Sequence, residues 1–250
     1  MKKALFKDEV IWVIGASSGI GKALAIELAG AGARVVISAR RKEELDHLKI
    51  DLAGSPLVFP LDVTDSDMTT RTAQAIRAAV GRIDRVIFMS AAYTPMKLSS
   101  LDLTITRNML EVNILGAIHV IHAVLPILKE QSHGQITLCG SVAGYIGLPG
   151  GQPYSATKAA IANLAESLHA ECPQHIDVKL ISPGFVRTPL TDKNDFTMPM
   201  IITPEQAAKE IATGLQSNGF EIHFPKRFTL WLKLLCLLPY GLALRLTRLL

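Results

Sequence analysis

Short runs of β-branched and apolar residues alternate with longer amphipathic stretches along most of this chain, and no other feature restricts its fold as strongly. The spacing predicts strands over residues 9–14, 34–38, 57–60, 84–90, 134–140, 176–182 and 220–224, and helices over 19–31, 41–53, 65–80, 103–130, 154–171 and 204–217. Strands that alternate with helices run parallel and are joined by right-handed crossovers, so the expected fold is α/β, a doubly wound parallel sheet. Runs with no polar alternation, such as Val86-Ile87-Phe88-Met89, suit a sheet covered on both faces. At 250 residues, with no repeat, low-complexity tract or linker in the pattern, one domain over 1–225 is expected. An apolar, basic helical tail over 226–250 follows it, broken at Pro239-Tyr240-Gly241.

Charge sets the tail apart. The net charge is +4, from 26 basic and 22 acidic residues. Lys226, Arg227, Lys233, Arg245 and Arg248 against Glu221 account for all of that excess, and the rest of the chain balances. A basic excess confined to an apolar tail points to an anionic membrane surface rather than to nucleic acid, for which no basic stripe with interleaved aromatics is present. Three readings of the tail stay open: a helix lying in the membrane interface, packing on a partner subunit or over the substrate pocket, and a transmembrane span. A span needs about 20 largely uncharged residues, and Lys233, Pro239 and the arginines interrupt this run. Three cysteines without CxxC spacing indicate neither a disulfide framework nor a zinc site, and a reducing compartment fits. His119 and His122 share a helix face without a third ligand, so no metal is expected. The apolar run Val10 to Ile14 is too short for a signal-peptide core, so the expected location is cytoplasmic, peripheral at a membrane if the tail seats there.

Between the first predicted strand and the first predicted helix stands Gly15-Ala16-Ser17-Ser18-Gly19-Ile20-Gly21, a GxxxGxG run in the place a phosphate-binding loop requires. Glycines let the backbone approach a pyrophosphate, and the helix N-terminus adds free N–H groups and a positive dipole end. A tight turn that merely needs glycine is the plainer reading. The end of the second strand bears on the choice, because an acid there would hold a ribose 2′-hydroxyl. It reads Ser38-Ala39-Arg40-Arg41 instead, with two guanidinium groups where a 2′-phosphate would sit, which favours NADP(H) unless both arginines only solvate a helix start. Asp62, followed by Val63, either accepts from an adenine amino group or caps the next helix in competition with Asp65 and Asp67.

Tyr154 and Lys158 are one helical turn apart beyond Pro153, a favoured helix-start residue, and Ser141 lies just past the fifth strand at the sheet edge where ligands bind. The set suits carbonyl reduction: the phenol exchanges a proton with the substrate oxygen, and the serine hydroxyl polarises that oxygen. A free phenol, with a pKa of about 10, is too weak an acid. An ammonium about 4 Å away contributes roughly 4 kcal/mol at an effective dielectric of about 20, so Lys158 is expected to draw the phenol toward neutrality by about 3 pK units. Asn113, in the long predicted helix, either binds a water that passes protons from Lys158 or is an interior polar residue bonded to a neighbouring carbonyl.

Taken together, the glycine loop, Ser141, Tyr154-x-x-x-Lys158 and the strand–helix alternation resemble the short-chain dehydrogenase/reductase family in its smaller, classical form, over roughly residues 8 to 225. The resemblance implies a Rossmann fold, Asn113, Ser141, Tyr154 and Lys158 as the catalytic set, and Pro183-Gly184 with Thr188 near the nicotinamide carboxamide. Ala91 and Val186 complete the expected cofactor-binding residues, with Lys158 also holding the nicotinamide ribose. Two positions depart from the family: Ile14 replaces the threonine that usually opens the glycine loop, and Phe88-Met89-Ser90-Ala91 stands where Asn-Asn-Ala-Gly is usual.

Segments expected on the substrate side, 91–96, 142–148 and 185–200, hold no carboxylate or phosphate clamp, so an apolar carbonyl or alcohol is expected, unless these residues simply pack on one another. A homodimer or homotetramer is expected. The competing functions are a non-catalytic NADP(H)-binding sensor or docking protein, against which the Ser141, Tyr154 and Lys158 set argues, and a sugar-nucleotide epimerase or dehydratase, which would need a larger C-terminal substrate domain.

Overall fold

A computed structural model of the chain describes residues 5–247. Arg248, counted above among the tail cations, lies outside the described residues, as do Leu249, Leu250 and the first four positions.

Seven strands form one fully parallel sheet: β1 Val10–Ile14, β2 Arg34–Ser38, β3 Leu57–Val58, β4 Arg85–Phe88, β5 Gly134–Cys139, β6 Ile176–Pro183 and β7 Glu221–Phe224. Their order is β3-β2-β1-β4-β5-β6-β7, the Rossmann arrangement, in which the winding reverses between β1 and β4. A crevice opens at the carboxyl ends of those two strands because their connections leave in opposite directions. The helices are α1 Gly19–Gly30, α2 Lys42–Asp51, α3 Ser66–Val80, α4 Leu103–Leu110, α5 Gly116–Gln131, α6 Tyr154–Glu171, α7 Pro204–Leu215, α8 Lys226–Cys236 and α9 Tyr240–Thr247.

Why β1 shows no polar alternation follows from its neighbours. Ile11 and Val13 point into the layer that holds Leu24 and Leu28 of α1 and Ile211 of α7, whereas Val10, Trp12 and Ile14 point into the opposite layer with Ile76 of α3, Val124 of α5 and Ile161 of α6. Every residue of the strand is buried, so either face demands apolar side chains.

Two predicted elements differ from the observed ones. The third strand is only Leu57–Val58, at the sheet edge, because Pro60 has no N–H to give the ladder; Phe59 N and Leu61 N on either side still donate to Ile37 O in β2 and to Ala39 O just beyond it. The helix expected over 103–130 is interrupted by a π-helical turn, Glu111–Leu115, between α4 and α5. That wider turn carries Asn113 inward, and Gly116 after it lets Val63 approach: a Cβ there would sit 2.8 Å from Val63 Cγ2.

Immediately beyond β7 the chain turns into α8 and α9, which are 11 and 8 residues long. Neither approaches the roughly 20 residues of a spanning helix, so the transmembrane reading of the tail falls. Leu232, Leu235 and Ala243 instead fold back onto Val142, Tyr145 and Ile146, in the loop that follows Ser141.

Candidate active site

The crevice at the β1/β4 switch point begins with the glycine loop. Gly15 has φ +94°, and a Cβ on it would meet Ser90 N at 2.6 Å; a Cβ on Gly21 would meet Gly15 O at 2.2 Å. Gly19, at φ +55°, has Thr188 Cγ2 3.0 Å from where its Cβ would be, so Thr188 closes over the loop from the far side. Ser18 occupies the N-cap of α1 in extended conformation without a side-chain cap, and the first turn holds no acid. The leading N–H groups of α1 therefore meet the crevice without a side-chain partner of their own, in a cradle that a side chain would fill; these residues fit a dinucleotide pyrophosphate.

One cleft is lined by Gly15, Ser17, Ser18, Gly19, Ile20, Gly21, Arg40, Arg41, Asp62, Val63, Ala91, Ser141, Tyr154, Lys158, Pro183, Gly184, Val186 and Thr188. Asn113 alone among the expected site residues stands outside that lining. The cleft also takes in Pro189, Leu190 and Thr191 of the expected substrate segment 185–200, together with Ala39, Leu61, Met89, Ser90, Val112, Cys139 and Gly140, which no sequence pattern singles out. Met89-Ser90 and Cys139-Gly140 directly follow strands β4 and β5, so the rule that ligands bind at strand carboxyl ends would have reached them.

The two arginines part company. Arg41 is the N-cap residue of α2, with its Nε 3.9 Å from Glu44 Oε1 across the first turn, which matches the helix-start reading. Arg40 is exposed at the mouth of the cleft. Asp62 is not a helix cap: Asp65 is, accepting from Met68 N at 2.8 Å, while Asp62 Oδ1 accepts from Thr64 N at 3.0 Å and Thr64 Oγ1 at 2.8 Å. Its carboxylate remains in the cleft wall beside Val63.

Tyr154 is the first residue of α6, and Lys158 follows one turn later, 2% exposed. Lys158 Nζ donates to Cys139 O at 2.7 Å and lies 5.5 Å from the centroid of the Tyr154 ring. Ser141 Oγ accepts Ala143 N at 3.1 Å and has a long contact, 3.5 Å, to Pro183 O. A residue the sequence reading left among substrate loops joins them: the Tyr93 ring packs edge-on against Tyr154, centroids 4.8 Å apart, and its hydroxyl donates to Asn194 Oδ1 at 2.6 Å.

The electrostatic expectation for the phenol is corrected. Burial, the largest influence, raises the Tyr154 pKa above the ordinary phenol value, the Cys139 and Tyr93 side chains add to the rise, and Ser141 pulls it back only in part. Lys158, hydrogen-bonded to the Cys139 carbonyl, is itself desolvated, which lowers its own pKa. Asn113 matches the interior reading. It is fully buried, its Oδ1 accepts Ala92 N at 2.7 Å, and its Nδ2 donates to Ala92 O and Thr157 Oγ1, both at 3.0 Å. Its amide thus clamps the segment that carries Tyr93, leaving no side-chain donor for a water at Lys158.

Against known proteins, the family model described as short chain dehydrogenase matches residues 9–198. An uncharacterized oxidoreductase of Myxococcus xanthus is 33% identical over 231 residues, 91% of this chain and 91% of that protein. An uncharacterized oxidoreductase of Staphylococcus epidermidis is 36% identical over 194 residues, 77% of this chain and 84% of that protein. Among solved structures, a short-chain dehydrogenase from Streptomyces avermitilis superposes with TM-score 0.80 at 26% identity, covering 91% of this chain and 92% of that one. A serine dehydrogenase complexed with NADP+ gives TM-score 0.79 at 24% identity, over 86% of this chain and 94% of the other, a likeness of fold.

Proposed function

The chain belongs to the short-chain dehydrogenase/reductase family and is an oxidoreductase, and we propose that it passes a hydride between NADP(H) and an apolar ketone or secondary alcohol. The observation that carries this reading is the sharing of one cleft by the glycine loop and by Ser141, Tyr154 and Lys158.

A dinucleotide held by its pyrophosphate at that loop would supply or accept the hydride through its nicotinamide. Tyr154 exchanges the proton with the substrate oxygen. A phenol that burial keeps protonated acts best as an acid, releasing its proton only once the oxygen has gained alkoxide character, which favours reduction. Ser141 Oγ accepts Ala143 N, and its hydrogen makes only the long 3.5 Å contact to Pro183 O, which a substrate oxygen can replace. Lys158, fixed by Cys139 O one turn from the phenol, adds positive charge where oxyanion character develops.

Preference for the 2′-phosphate rests on Arg40, exposed at the cleft mouth where β2 ends without a carboxylate. An apolar substrate is favoured by the Tyr93 ring against Tyr154, and by Phe185, which follows the cleft residue Gly184 and packs with Phe196 and Phe228 at 5.8 and 5.6 Å between centroids. Exposed Leu110, Leu115 and Ile118 give a homodimer or homotetramer an apolar contact.

Incubating the full chain with NADPH and a panel of long-chain and polycyclic ketones, and following loss of reduced-nicotinamide absorbance, tests the reading. Tyr154→Phe should lower the rate by about 10²–10⁴-fold while cofactor binding persists. A mutant as fast as the parent would refute the mechanism, and cofactor binding without turnover of any carbonyl would point to a sensor.

A further inference from the structure

The inner side of the C-terminal tail packs on the two loops that leave the cleft at Ser141 and Gly184. Phe228 packs on Phe185, and its Cδ1 lies 3.0 Å from where a Cβ on Gly184 would be. Lys233 is ion-paired with Glu221, whose other oxygen accepts the Tyr145 hydroxyl at 2.5 Å. The loops leaving Ser141 and Pro183-Gly184 are thus both held under α8, by Tyr145 and by Phe228.

Its outer side is exposed, with nothing covering it among the described residues. Leu230, Trp231 and Leu234 of α8 and Leu237 just past its end recur at i, i+1, i+4 and i+7 and face outward while Leu232 and Leu235 are buried, and Leu234 and Leu237 are 62% and 81% exposed. Tyr240, Leu242, Leu244 and Leu246 continue the apolar surface along α9, so among the described residues 8 of the 18 exposed large apolar side chains fall within this short segment. Lys226, Arg227 and Arg245 are exposed beside them, and no Asp or Glu follows Glu221 in the sequence.

Charge decides what covers such a face. Two copies joined through it would set these cations against their own kind with no carboxylate in between, whereas an anionic lipid surface pairs the cations and buries the leucines together. Rings with a polar tip, as in Trp231 and Tyr240, suit the headgroup level, and helices of 11 and 8 residues fit in the plane of an interface.

We propose that α8 and α9 seat this protein on an anionic lipid surface with the substrate mouth facing the lipid, so that an apolar carbonyl passes beneath the tail without crossing water. What passes rests on the function proposed above; the seating does not.

Full-length protein is sedimented with phosphatidylglycerol-containing vesicles and with pure phosphatidylcholine vesicles. The parent should pellet with the anionic vesicles at least roughly tenfold more than with the neutral ones, and less in high salt. Trp231→Glu with Leu234→Glu, and separately Lys226→Glu with Arg227→Glu, should leave the protein in the supernatant. Both double variants should reduce a short water-soluble ketone at the parental rate, yet reduce a long-chain ketone dissolved in the vesicles at least about tenfold more slowly. A parent that stays in the supernatant overturns the seating, and if it is then a dimer that Trp231→Glu with Leu234→Glu makes monomeric, the face is a subunit contact. Pelleting without turnover of either ketone leaves the seating standing and removes the carbonyl reading and the route. Equal loss of both ketone activities in the variants overturns the route alone.

Discussion

The nucleotide end of the cleft is walled by main chain, while its substrate end is walled by side chains gathered from distant segments. At the first, Gly15, Gly19 and Gly21 hold conformations or approaches that leave no space for a Cβ. At the second, Tyr93 packs on Tyr154, Phe185 packs on Phe196 and Phe228, and Tyr145, Glu221 and Lys233 tie a loop, a strand and a helix together. A wall of backbone fixes one ligand shape and tolerates little substitution. One of side chains can be re-cut without disturbing the sheet, so cofactor recognition and substrate choice can change independently.

That contrast breaks most plainly at glycines. Gly21→Ala would drive a methyl group to 2.2 Å from Gly15 O, main chain that cannot swing aside. The expected destabilisation is about 3 kcal/mol, a fall of roughly 6–12 °C in unfolding midpoint, together with loss of NADPH binding. Gly147→Ala, on the loop after Ser141, meets nothing within 4 Å and should stay within about 0.5 kcal/mol of the parent. Comparable melting shifts in the two variants, read by thermal unfolding, would erase the distinction.

The same contrast governs what could be read beforehand. Glycine spacing and the Tyr154–Lys158 interval are local patterns, and the residues expected from them line one cleft. Contacts such as Tyr93 on Tyr154, 61 positions away in sequence, or Tyr145 on Glu221 leave no periodic trace, because only the closed fold brings them together. Asn113 shows the limit within a single helix. An interval of 3.6 residues cannot announce the π-helical turn that rotates its amide toward Ala92. Charge effects are hidden for a related reason: sequence gives the Tyr154–Lys158 interval, but not the burial that governs the phenol.

A smaller effect sharpens the nucleotide side. Arg40→Ala should weaken NADPH binding by roughly tenfold, about 1.4 kcal/mol, and leave NADH nearly unchanged, since only the former carries the phosphate that a guanidinium would meet. Fluorescence titration of both cofactors checks this, and equal losses would mean that Arg40 acts on the helix start, as Arg41 does.

The smallest effect belongs to the substrate side and is read by pH. Burial alone would raise the pKa of Glu221, but Lys233, Ser182 and Tyr145 together outweigh it and hold the carboxyl below its ordinary value of 4.5. A group depressed in this way contributes stability that is present above its unfolded pKa and is lost as pH falls through its folded one. Glu221→Gln should therefore melt below the parent near neutrality, and the two curves should converge in acid once the parent's carboxyl is protonated. Lys233 is 38% exposed, so solvent screening keeps the difference to about 1 kcal/mol, roughly 2–4 °C. NADPH affinity should not move, because none of these groups lines the nucleotide loop. A gap that widens on acidification would mean that burial of the carboxylate outweighs its three partners, and that Glu221 strains the loop it holds.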